Sequence, residues 1–148
     1  MTTIAATRKA LAGDCMVSVE SKSIWYPARK IRKLKDGSVV GACGDGGDCT
    51  RLMDWAENNF SEKKRPKFLT AAGEEDEAIL LLLNKEGIHM MATSDPYPEL
   101  IAKDFYAIGS GGKAAHAALY AGKTLAEAME IAHAIDPYTR PPFDIEEL

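Results

Sequence analysis

Met1-Thr2-Thr3-Ile4-Ala5-Ala6-Thr7 opens the chain. Thr3, Ile4 and Thr7 are β-branched and no charged leader precedes them, so the stretch reads as a β-strand that begins at the terminus itself. Most domains leave their first residues loose. Loss of Met1 would place a free amine and a hydroxyl together on Thr2, a nucleophile carrying its own general base. An ordinary edge or core strand reads the same way. The decision therefore falls to the residues that follow.

A length of 148 residues suits one domain, 1–148, able to bury roughly two-thirds of its unfolded surface. The net charge of −4 argues against a general nucleic-acid or membrane binder. The longest apolar run, 78–83, is far too short to span a bilayer. No basic and apolar leader marks a signal peptide. Cys15, Cys43 and Cys49 form no paired spacing, which fits a reducing, cytoplasmic compartment with the thiols acting as small apolar residues.

Outward from the first strand, 10–17 reads as a second strand with Asp14 near its end, and 18–23 as a loop. Residues 29–35 hold five basic residues in seven positions, interrupted by Ile31 and Leu34, and read as a solvated strand edge rather than a nucleic-acid patch. Asp36-Gly37 marks a hairpin turn before a strand over 38–44. Asp48 is placed to cap a helix over 49–58, and 61–77 reads as charged surface. The unbroken run 78–83 predicts a strand buried on both faces, partnered by 88–92. A strand over 105–108 breaks at Gly109-Ser110-Gly111-Gly112 before a helix over 113–121. Thr124 and Glu127 form a capping box for a helix to about Ile135. Tyr138-Thr139 reads as the start of a last strand and the acidic end as surface. This order predicts an α+β fold of two mainly antiparallel sheets with helices on their outer faces.

The glycine-serine turn at 109–112 matches neither a phosphate-binding loop nor a hydrolase elbow. The three histidines, His89, His116 and His133, show no metal-ligand spacing.

Taken in order, Met1-Thr2-Thr3-Ile4, Ala12-Gly13-Asp14, Ala28-Arg29-Lys30-Ile31-Arg32-Lys33-Leu34, Gly41-Ala42-Cys43-Gly44, Ala107-Ile108-Gly109-Ser110-Gly111-Gly112 and Ile145-Glu146-Glu147-Leu148 resemble the threonine peptidases of the proteasome β-subunit and HslV family. The resemblance implies a four-layer αββα sandwich, the N-terminal nucleophile hydrolase fold. It implies Thr2 as nucleophile and its α-amine, ordinarily near pKa ~8, as general base. Lys30 would be the neighbouring cation, Asp14 its anchor, the Gly44 N–H an oxyanion donor and Ser110 a proton shuttle. Ser18, Ala28, Ala42 and Gly46 would form the substrate pocket, roomy because they are small, with Arg32 setting its charge. No cofactor is required. A monovalent cation, Na+ or K+, is implied on the backbone carbonyls of His133, Asp136 and Thr139, although the family carries glycine where His133 stands. The implied assembly is a homo-oligomeric ring or double ring of six or seven subunits per ring, working with an ATP-driven unfoldase such as HslU on unfolded proteins or peptides. A catalytically silent ring or scaffold subunit is the other reading.

Overall fold

The computed structural model describes residues 2–19, 22–25 and 28–148. The first sheet is built around the opening strand, β1 (Thr3–Thr7), which turns through Arg8-Lys9 into β2 (Ala10–Gly13). Thr7 Oγ1 closes that turn by accepting the N–H groups of Lys9 and Ala10, both at 3.3 Å. A strand over 105–109 pairs antiparallel with β1, and one over 144–147 pairs antiparallel with β2. The opening strand is therefore central, not an edge.

Expectations at both ends of the chain fail here. The second strand does not continue to residue 17. The Asp14 carboxylate draws in the N–H of Met16 at 3.1 Å and bends the chain out of the sheet. Residues beyond the bend form a separate hairpin, β3 (Met16–Val19) and β4 (Lys22–Trp25), where a loop was expected. At the other end, Tyr138-Thr139 begins no strand. The acidic tail does so instead, because Arg29 meets Glu146 at 2.5 Å and Lys33 Nζ donates to the Glu147 carbonyl at 3.0 Å.

The second sheet runs β5 (Ile31–Lys33), β6 (Val39–Cys43), β7 (Ile79–Asn84), β8 (Gly87–Ala92) and β9 (Glu99–Ala102), all antiparallel and in that order. The expectation for 78–83 holds. Leu81 and Leu83 face the other sheet, and Leu80 faces outward under a helix. Ile4, Leu11, Leu81, Leu83 and Ile88 are fully buried between the sheets, each contributing roughly 2 kcal/mol. Gly41 sets how closely the sheets approach. A Cβ there would stand 2.9 Å from Ile31, Ile4 and Leu11.

The first sheet continues as β10 (Phe105–Gly109) and β11 (Asp144–Glu147), and its outer face carries α2 (Gly112–Tyr120) and α3 (Leu125–Ile135). Alanines at 5, 12, 115, 118, 128 and 132 fill that layer and let helix and sheet sit close. The capping box of α3 is formed, with Thr124 Oγ1 accepting from Glu127 N and Glu127 from Thr124 N.

Over the second sheet lies α1 (Gly46–Glu57), with Leu52, Trp55 and Ala56 on Val40, Leu80 and Met91. Its cap is Asp45, not Asp48. Asp48 is fully buried one turn in and accepts the N–H groups of Leu69 and Thr70 and the Thr70 hydroxyl. Beyond α1 the layer is completed by the segment 58–78, which holds only a one-turn 3₁₀ helix, Glu62–Lys64. Arg65 pins this segment. Its guanidinium lies 4.7 Å over the Trp55 ring and donates to the carbonyls of Thr93, Asp95 and Pro96. The whole is a four-layer α+β sandwich. Among the described residues, no helix is long and apolar enough to cross a membrane.

Candidate active site

Thr2 enters β1 with only 6% of its surface exposed. The bend after β2 brings Asp14 beside it, and the entry to β5 brings Lys30 from the other sheet. Lys30 Nζ donates to Thr2 Oγ1 at 2.9 Å and to Asp14 Oδ1 at 3.0 Å, and also to the Met16 carbonyl. The ammonium's three protons thus have three acceptors, one of them the threonine hydroxyl.

Asp14 is fully buried. A buried carboxylate must be paired and hydrogen-bonded, and this one is. Besides Lys30 it accepts Thr3 N–H at 3.0 Å, Met16 N–H at 3.1 Å and Arg140 N–H at 3.3 Å. Four donors hold it rigidly, so it in turn holds Lys30.

Gly44 closes β6 with φ +115°, a conformation that L side chains rarely adopt, and a Cβ there would stand 2.6 Å from the Glu77 carbonyl. Only glycine turns the chain at this point into α1. A cleft of about 830 Å³ opens between these groups, lined by Thr2, Lys30 and Gly44 together with Ala28, Ala42 and Gly46. Of the expected pocket residues, Ser18 lies on β3 with its side chain outside the described residues. Arg32 does not line the cleft and instead pairs with Asp54 on α1 at 2.8 Å.

Sequence reasoning missed Cys49 and Met53, which form the apolar floor, and Asp45, Glu75 and Asp76, which give the walls an acidic character. Cys49 and Met53 are one helical turn apart, a spacing that puts both on one face of α1. The acidic residues come from loops, where no periodicity announces them. Burial pushes the Cys49 thiol up to about 12 and the Cys43 thiol up to about 11. Neither is a thiolate nucleophile at neutral pH.

Ser110 follows β10 on the other side of Thr2. Its hydroxyl donates to Asp136 Oδ2 at 2.7 Å. The same oxygen accepts Thr139 Oγ1–H at 2.6 Å, and Thr139 Oγ1 stands 2.6 Å from Thr3 Oγ1. Asp136 and Thr139 therefore connect through their side chains to Ser110 and Thr3, and none of these four lines the cleft.

Two of the three carbonyls implied for a cation are hydrogen-bonded. The Thr139 carbonyl accepts from His133 Nδ1 at 2.7 Å, and the Asp136 carbonyl accepts from Thr139 N–H at 3.2 Å. Among the described residues, no cluster of three or more His, Cys, Asp or Glu could hold a metal ion.

The two stacked antiparallel sheets between helical layers, with a threonine leading a central strand, have the fold of the proteasome-like N-terminal nucleophile hydrolases. A solved structure of eukaryotic HslV from Trypanosoma brucei superposes with a TM-score of 0.78 at 27% identity, covering 99% of this chain and 98% of that one. BPH from Thiobacillus denitrificans shares the fold at a TM-score of 0.74 and 18% identity. No protein-family model matches the chain. The ATP-dependent protease subunit HslV of Aquifex aeolicus is 36% identical over 175 aligned residues, covering 99% of this chain and 97% of that protein. That of Sulfurihydrogenibium is 32% identical over 99% of this chain. The chain belongs to the HslV family of proteasome-like proteases.

Proposed function

We propose that the protein is a threonine-type endopeptidase, working as one domain within a homo-oligomeric ring and supplied with unfolded chains by an ATP-driven unfoldase. One observation carries this reading: Lys30 Nζ lies 2.9 Å from Thr2 Oγ1 while anchored on a buried carboxylate. Its relatives' name, ATP-dependent protease subunit HslV, supports the unfoldase and the ring. Three free, buried cysteines support work in the cytoplasm.

Removal of Met1 frees the Thr2 amine. The amine takes the hydroxyl proton as Oγ1 attacks the substrate carbonyl. Lys30, a fixed positive charge at the hydroxyl, favours the alkoxide character that develops. The tetrahedral oxyanion accepts the Gly44 N–H, a donor worth about 3 kcal/mol to such a state. Collapse breaks the peptide C–N bond, and the protonated α-amine gives its proton to the leaving amine. Water, deprotonated by the same amine, then hydrolyses the ester on Thr2. To Ser110, fixed on Asp136, we assign the relay of the amine's proton.

The test compares wild type with Thr2→Ala on a fluorogenic peptide, with the N-terminal mass of each measured. A wild type that lacks Met1 and cleaves, beside a folded variant that does not, is the expected result. Full activity in Thr2→Ala would sink the reading. A wild type that keeps Met1 and cleaves nothing would identify a silent ring subunit.

A further inference from the structure

The fold family implies a monovalent cation at the turn after α3, and the residues here do not fit one. A carbonyl oxygen has two lone pairs, so a donor already seated on it competes with a cation for that oxygen. Of the three implied, that of Thr139 is bonded to the His133 ring at 2.7 Å and that of Asp136 to the Thr139 N–H at 3.2 Å. A carbonyl oxygen carries no proton, so the ring must donate, and Nδ1 is its protonated nitrogen. Both the neutral ring with that tautomer and the imidazolium can make this bond. His133 stands in the last turn of α3, so the contact spans six residues and closes the 136–140 turn back onto the helix.

That turn has its own connections to the catalytic groups. The Arg140 N–H donates to Asp14 Oδ2 at 3.3 Å, and the Arg140 carbonyl accepts Cys15 N–H at 3.3 Å. The Asp136 carboxylate, buried beneath the turn, holds Ser110 and Thr139 on one oxygen and the Tyr138 N–H on the other. Displacement of the turn by a fraction of an ångström would loosen Asp14, and with it Lys30, and would let Ser110 swing.

We infer that His133 takes the place of the cation: an internal clasp that fixes the 136–140 turn, acts as a positioning residue for Asp14 and Ser110, and makes the protein independent of Na+ and K+. The kinetic part of this inference rests on the peptidase reading. The stability part does not.

The experiment exchanges NaCl or KCl for choline chloride at constant ionic strength and measures melting temperature and peptide hydrolysis. Wild type should melt at the same temperature in all three salts. His133→Gly removes the clasp and uncovers the Thr139 carbonyl. It should melt lower in choline chloride and recover part of the loss in KCl or NaCl. In choline chloride its kcat should fall about tenfold with KM unchanged, as expected when a hydrogen bond that orients catalytic groups is lost away from the cleft.

A wild type stabilised by Na+ or K+ over choline would overturn the inference. So would a His133→Gly protein that melts like wild type, or one whose loss no cation repairs. A raised KM with unchanged kcat would overturn the positioning role. If His133→Gly does not fold, the salt exchange on wild type still decides. If wild type has no peptidase activity, the proposed function fails and the clasp is judged on the melting temperatures alone.

Discussion

Lys30 touches three oxygens that belong to three different segments: Thr2 before β1, Asp14 in the bend after β2, and Met16 at the start of β3. Lys30→Ala removes the cation beside the threonine hydroxyl and leaves Asp14 buried without its ionic partner. Peptidase activity should fall by at least about a hundredfold, and stability by about 3 kcal/mol, read from peptide hydrolysis and from urea unfolding. An unchanged kcat would remove Lys30 from the mechanism. Gly44 should tolerate no side chain for a different reason. Alanine there would be strained at its positive φ and would press on the Glu77 carbonyl, shifting the very N–H proposed to donate to the oxyanion. Gly44→Ala should lower both kcat and the melting temperature.

At the level of elements, α1 and the segment 58–78 depend on one carboxylate. Burial alone would push the Asp48 carboxyl up. The N–H groups of Leu69 and Thr70, the Thr70 hydroxyl and Arg51 outweigh burial and hold it below its ordinary value of 3.8. A carboxyl depressed by folding stabilises the native state fully above its unfolded pKa, and that contribution is lost as pH falls through the folded value. The native state should therefore weaken below about pH 4. Asp48→Asn should cost about 2–3 kcal/mol at neutral pH, because an amide N–H₂ would face backbone donors, and should flatten the acid limb of the pH–stability curve. Equal slopes in both proteins would remove Asp48 as the cause. Glu77, held low chiefly by the Gly73 N–H, acts in the same direction. None of this was legible in the sequence, where Asp48 reads as a helix cap. What could be read locally was read: the run 78–83, the capping box at Thr124, and the breaks at glycine. The separate hairpin at 16–25 and the pairing of β11 with β2 were not, because both depend on partners far along the chain, Thr3 and Arg140 for Asp14, Arg29 for Glu146. The proposed catalytic residues became legible only together, since Asp14 and Lys30 have no shared spacing and meet only when the two sheets stack.

Across the whole molecule, the two outer layers are unequal. Two helices cover the first sheet, while α1 and a largely irregular segment fastened by Arg65 cover the second. Alignment to the Aquifex relative spans 175 positions for the 148 residues of this chain, so the family's architecture is built here from a shorter chain. Leu69, Leu100 and Ile101 remain exposed on this molecule. The cysteines turn this unevenness into something that can be timed. All three thiols are buried, and burial raises each of them, so an alkylating reagent meets no accessible thiolate while the chain is folded. Cys49 stands on α1 at the floor of the cleft, Cys43 ends β6 between the layers, and Cys15 sits in the bend that holds Asp14. Mass-resolved labelling should modify Cys49 first, as the thinner layer opens, and the others only on wider unfolding. Simultaneous labelling of all three would mean that both layers open as one. The three sulfur atoms thus serve as built-in clocks, each reporting how often its own part of the molecule lets water in.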